Sequence, residues 1–249
     1  MSDKSFLITI GDRSVSGLVS RDQMIGDYQV PVSNVAATLT DMNSKSGEVI
    51  TIGERPIPSI YNVSSSIDLS LGEIITNISC CNIKKLENIK LSANWMASSS
   101  NKYEMSKLFF GVRRLSELCK ELNLTIPVGK DSLSMKTSWK IGKKDFEVES
   151  PVSLVLSAFS KIRNTDDIVT PDLQGNGEIY LIDLGNNNQR MGGSAFEQVK
   201  SSISSDVPKI DNINIIKKFF KLSQILISKK IISAYHDKSD GGLFATLAE

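Results

Sequence analysis

The stretch Ser150 to Ile162, SPVSLVLSAFSKI, constrains the fold more than any other. Its apolar residues run almost without interruption, and a strand with that pattern is buried on both faces and belongs in the middle of its sheet. Shorter runs supply candidate neighbours: SNVAATLT (33–40), GEVITIGE (47–54), IKLSANWM (89–96) and TIPVGKDSLSMKTSW (125–139). Residues 5–19 add two β-rich runs divided by Gly11 and Asp12.

Two segments carry helical periodicity instead. From Ser64 to Cys81, Ile67, Leu71, Ile74, Ile75 and Ile78 recur three and four residues apart behind a serine cluster with Asp68, which reads as a capped helix. In EMSKLFFGVRRLSELCKELNL, one stripe joins Leu108, Val112, Leu115, Cys119 and Leu122 while the charged residues fall mostly outside it. After Ile162 the chain turns polar, and RNTDDIVTPDLQGNGE reads as a connection. Beyond it the expected order is a strand IYLIDLG, a loop NNNQRMGG, a helix from Ser194, a long helix NIIKKFFKLSQILISKK, a strand IISAYHD and the start of a last helix. Such alternation is the pattern of α/β packing.

Composition narrows the function. The 29 basic and 28 acidic residues nearly cancel, so no basic field recommends nucleic acid as a partner. No apolar run approaches the ~20 residues of a membrane helix, and the N-terminus lacks a signal pattern. The three cysteines, Cys80, Cys81 and Cys119, fit neither a disulfide framework nor a C-x-x-C metal site, which points to a reducing, cytoplasmic setting. A small ligand is the better expectation.

Oxygen donors gather in two places. Glu73 and Asn77, four residues apart, share one helix face and could reach a common cation. In AYHDKSDGG, Asp237 and Asp240 would project from a strand's carboxyl end, with Asp240, Gly241 and Gly242 opening a helix towards a phosphate. Oxygen ligands select Mg²⁺ or Ca²⁺, and Mg²⁺ commonly arrives with a nucleotide. His236, the one histidine, has no identifiable nucleophile to serve and reads as a packing or hydrogen-bonding residue. Gly192 and Gly193 would allow an anion close to the backbone. Gly129-Lys130-Asp131-Ser132 is read either as a phosphate loop or as a tight turn with a salt-bridged lysine.

The stretches GDRSVSGLVSRDQMIGDYQVPVSNVA, GEIITNI, IKLSANWMA, TIPVGKDSLSMKTSW, SPVSLVLSAF, MGGSAF and AYHDKSDGGLFATLAE, in this order, resemble the second half of the synthetase region of large-type phosphoribosylformylglycinamidine synthase. The resemblance implies an α+β fold: an AIR-synthase-like N-terminal-type domain over residues 1–162, a linker over 163–177, and the start of a C-terminal-type α/β domain over 178–249. It implies a piece of an ATP-dependent carbon–nitrogen ligase of purine synthesis, with glutamine as amide donor. The partners would be the remaining synthetase half and a glutaminase domain, and no catalytic residue is assigned within the piece.

The family's auxiliary Mg²⁺ and ATP/ADP site carries over residue by residue. Glu73, Asn77 and Asp237 fall on metal ligands, Ser239 on a nucleotide contact, and Ser33 on a nucleotide-binding position where relatives commonly have alanine. Asn34 falls where relatives have a ligating aspartate, so an Asn34→Asp change is expected to tighten the cation. Lys4 could reach the phosphates. The rival readings are a non-catalytic nucleotide-binding scaffold and a stand-alone small-molecule kinase of the AIR-synthase-like kind.

Overall fold

The structure, a computed structural model, describes residue 6 and residues 17–175, 177–202, 204–238 and 240–248. The expected strands within residues 5–16, together with Lys4 and Ser239, lie outside the described residues.

Seven strands are described: β1 (Ala36–Leu39), β2 (Gly47–Glu54), β3 (Lys90–Met96), β4 (Thr125–Ser132), β5 (Lys136–Ile141), β6 (Lys144–Glu149) and β7 (Ser153–Ile162). Five of them form one sheet in the order β1-β2-β7-β3-β4, and β5 and β6 form a separate hairpin. β7 is central, as its apolar run requires, with antiparallel neighbours on both sides. Its alternation is nevertheless clear: Leu154, Leu156, Ala158, Ser160 and Ile162 are buried, whereas Phe159 on the opposite face is 40% exposed. One face of the sheet is therefore covered and the other open.

The cover is α1 (Val63–Ile78) and α2 (Lys102–Leu122). In α1, Asn62 accepts a hydrogen bond from the Ser65 N–H and so caps the first turn, and Ile67, Leu71, Ile74, Ile75 and Ile78 are fully buried. Gly53 lets β2 come close: a Cβ there would lie 2.3 Å from the Ser70 carbonyl oxygen. Helix α2 is capped by Asn101 and ends at Asn123 in the left-handed conformation, φ 56°. Its buried face is rotated from the expected stripe. Leu118 and Gly111 replace Leu108 and Val112, the latter 45% exposed, because Gly111 lets the helix approach Trp95 and Val63.

Beyond residue 162, three helices are described: α3 (Ala195–Val199), α4 (Ile213–Ser228) and α5 (Gly242–Ala248). The expected strands IYLIDLG and IISAYHD are not formed. Strands exist only as ladders, and neither run meets a partner strand among the described residues, so Ile179, Tyr180, Leu181 and Ile182 stay exposed. The first residues of the connection are packed, whereas Leu173 is exposed. Thr165 and Ile168 are buried, and the Val169 N–H donates to the Cys80 carbonyl at 3.0 Å.

The C-terminal segment adds Ile216 and Phe220 to the α1–α2 core and is fastened by buried polar groups. Asp68 accepts from Arg114 Nε and Nη2 at 2.6 and 2.9 Å and from the Ile210 N–H at 3.0 Å. It is thus a partner in a buried ion pair and no part of the helix cap. Gln224 accepts from the Ile83 and Lys84 N–H groups, both at 2.7 Å, and donates to the Cys81 carbonyl at 3.0 Å. Asp68→Ala should cost about 1–3 kcal/mol in urea unfolding, because it leaves the Ile210 N–H and the partly buried Arg114 guanidinium without their acceptor. Arg113→Ala, at the exposed Arg113–Glu117 pair, should cost under about 1 kcal/mol.

Candidate functional site

Glu73 lies on α1 opposite the end of β2. The close approach at Gly53 brings the Glu54 N–H within 3.0 Å of Glu73 Oε2, and Arg55 Nη2 lies 3.0 Å from Oε1. Asp237 arrives from far along the chain on a segment held at three points. The Tyr235 hydroxyl donates to the Thr76 carbonyl at 2.7 Å, its N–H to the Thr170 carbonyl at 2.9 Å, and its carbonyl accepts from Asn34 Nδ2 at 3.2 Å. His236 Nδ1 is 2.8 Å from Asn34 Oδ1 and 3.4 Å from Asp237 Oδ1. The structure therefore brings Glu73, Asp237 and Asn34 into one neighbourhood, with Asn77 one turn beyond Glu73 on α1.

The electrostatics are those of carboxylates short of water. Loss of water raises the Glu73 carboxyl from its ordinary 4.5 to about 7; Arg55 and the Glu54 N–H oppose the rise, and the Asp237 charge adds to it. Asp237 is likewise raised, first by burial, against the opposing pull of His236 and Arg55. Glu73 thus feels the Asp237 charge, and Arg55 is a counter-charge to both carboxylates.

Other expected features are used differently. Ser33 donates from Oγ to the Val35 carbonyl at 2.8 Å, which leaves its oxygen able to accept. Asp240 is exposed and follows no strand. The Gly192 N–H donates to the Asp206 carbonyl, and the Gly193 N–H to Glu197 Oε2, so neither amide is left for an anion. Gly193 instead serves packing, at φ 75° with Pro58 against it. Gly129-Lys130-Asp131-Ser132 is neither loop nor turn: it lies within β4, and Lys130 Nζ bonds to Ser132 Oγ at 2.8 Å. Sequence reasoning missed Arg55 and Tyr235. A charged pair, Glu54-Arg55, ending a strand just before a proline was the only signal for the former.

With the geometry in place, the comparisons can be set beside it. The model of the FGAR-AT PurM_N-like domain matches residues 3–161, well over half of the chain. The chain belongs to this family. Within the FGAR-AT PurM_N-like domain fall Asn34, Glu73 and Asn77, whereas Asp237 lies outside the matched residues. Among solved structures, Thermotoga maritima PurL complexed with ATP is 14% identical, with a TM-score of 0.41, over 55% of this chain and 21% of that one. Thiamine monophosphate kinase from Aquifex aeolicus is 10% identical, with a TM-score of 0.33, over 58% of this chain and 41% of that one. The chain spans about a fifth of the PurL chain it matches. No helix among the described residues is long and apolar enough to cross a membrane.

The Glu73 shift has a definite sign. A carboxyl raised from 4.5 to about 7 on folding takes stability away as pH rises across that interval and holds the loss constant above it. Glu73→Gln removes this loss, so in urea unfolding without added metal the variant should gain on the parent chain between pH 5 and pH 8. An equal difference at both pH values would mean that Glu73 keeps an ordinary carboxyl.

Proposed function

We propose that this chain carries a Mg²⁺-nucleotide site and is the second synthetase half of a large-type phosphoribosylformylglycinamidine synthase. In that reading the parent converts formylglycinamide ribonucleotide, ATP and glutamine to formylglycinamidine ribonucleotide, ADP, phosphate and glutamate. Its partners are the remaining synthetase half and a glutaminase domain, and it works in the cytoplasm. The single observation that carries the site is the pair of water-poor carboxylates, Glu73 and Asp237, from distant parts of the chain, with Arg55 as a counter-charge to both.

The donor set fits a hard divalent cation. Among the described residues no three His, Cys, Asp or Glu side chains are grouped as a metal centre. Mg²⁺ needs no such group, since it is commonly held by one or two carboxylates together with substrate phosphates and water. Glu73, Asp237 and Asn77 would hold it. When bound, the cation would neutralise and orient phosphate oxygens of the nucleotide. The chain's own residues do the rest: Arg55 balances charge while the carboxylates are bare, Tyr235 anchors the Asp237 segment to α1, and the Ser33 hydroxyl oxygen is available to the nucleotide. His236 is engaged by Asn34 through Nδ1.

Mg-ADP at 100 times its Kd should stabilise the chain by roughly 2.7 kcal/mol, read as an upward shift in melting temperature. Glu73→Gln and Asp237→Asn should each remove most of that shift. A shift that survives both changes would place the nucleotide elsewhere, and ATP turnover abolished by either change would favour the kinase reading.

A further inference from the structure

The hydrogen bonds around Asn34 fix more than its position. The Tyr235 carbonyl oxygen can only accept, so the end of the Asn34 carboxamide 3.2 Å from it is the NH₂ group, Nδ2. Oδ1 then faces His236 Nδ1 at 2.8 Å, and an amide oxygen also can only accept. The hydrogen between them therefore sits on His236 Nδ1. Asp237 Oδ1, 3.4 Å from the same nitrogen, is a second acceptor and agrees with that placement. In the neutral ring the lone pair is then on Nε2. The asparagine is itself held to the sheet, because Thr51 Oγ1 on β2 donates to its main-chain carbonyl at 3.1 Å, and the residue is 8% exposed.

We propose that Asn34 is a positioning residue and no cation ligand: it fixes His236 as the Nδ1–H tautomer and clamps the 235–237 segment so that Asp237 lies beside Glu73. Both ends of its carboxamide are engaged in this task, Nδ2 by the Tyr235 carbonyl and Oδ1 by His236. An aspartate would keep an acceptor for His236 but would turn a second oxygen towards the Tyr235 carbonyl, where only a donor fits. Asparagine meets both demands. The tautomer half of the proposal stands on these hydrogen bonds alone, while the positioning half rests on the reading of Glu73 and Asp237 as cation ligands.

The chain has one histidine, so a long-range ¹H–¹⁵N spectrum of the imidazole reports His236 without assignment. At pH 8 the wild-type chain should show a protonated-type Nδ1 and an unprotonated-type Nε2. The reverse pattern overturns the tautomer half whatever the chain binds. Asn34→Ala should abolish the Nδ1–H preference and weaken Mg²⁺ about tenfold in calorimetric titration of MgCl₂ into the ADP-saturated chain, the usual scale for losing a group that orients a ligand. Asn34→Asp should not tighten Mg²⁺ beyond twofold; a tenfold gain would make position 34 a ligand and overturn the positioning half. Failure of the wild-type chain to bind Mg²⁺ would overturn that half together with the cation reading, and an Nδ1–H spectrum in the same sample would still support the tautomer.

Discussion

The Asp68 carboxylate, 3% exposed, sits where α1, α2 and the C-terminal segment meet, and the rest of the structure depends on its being satisfied. A buried charge is tolerable only when paired and fully hydrogen-bonded. Arg114 supplies a two-pronged match from α2, and the Ile210 N–H supplies a third donor from beyond the connection. One side chain therefore ties α1 to α2 and to the later chain at Ile210. Gln224 and Tyr235 add further side-chain contacts to the main chain, Gln224 to Cys81, Ile83 and Lys84 just past α1 and Tyr235 to Thr76 in its last turn.

This docking is what builds the candidate site. Glu73 is placed locally, by the close approach of β2 to α1 at Gly53, but Asp237 reaches it only because Tyr235 and Asn34 hold the strand-like segment before it. Two carboxylates then share a region with little water, and Arg55 offsets them in part. The site and its electrostatics are thus both products of long-range packing.

Elements whose stability comes from their own pattern were legible in the sequence. The apolar run of β7, the alternation of β2 and the isoleucine stripe of α1 each specify a burial direction without help from elsewhere. Elements that depend on a neighbour were not. IYLIDLG and IISAYHD have strand composition, but composition cannot provide the adjacent ladder. In α2 the stripe was right in kind and wrong in angle, because Gly111 is buried against Trp95, a contact that periodicity does not contain. Gly192 and Gly193 resemble an anion loop by composition, yet their amides are taken by Asp206 and Glu197. At the candidate site, Glu73 and Asn77 were visible as a helical pair and Asp237 in the AYHDKSDGG motif, and the resemblance named Asn34. The pairing of Asn34 with His236 joins positions too far apart in the chain for spacing to reveal.

The central claim is that the later chain is docked on α1 by buried polar contacts strongly enough to hold Asp237 at Glu73. Native-state hydrogen exchange tests it directly, because the Ile83, Lys84, Ile210 and Tyr235 amides are the donors of that docking. If the account is right, these four amides exchange only through the large opening that also releases the core of α1, with the same free energy and the same dependence on denaturant. Exchange of the four at loop-like rates, while α1 remains protected, would contradict it.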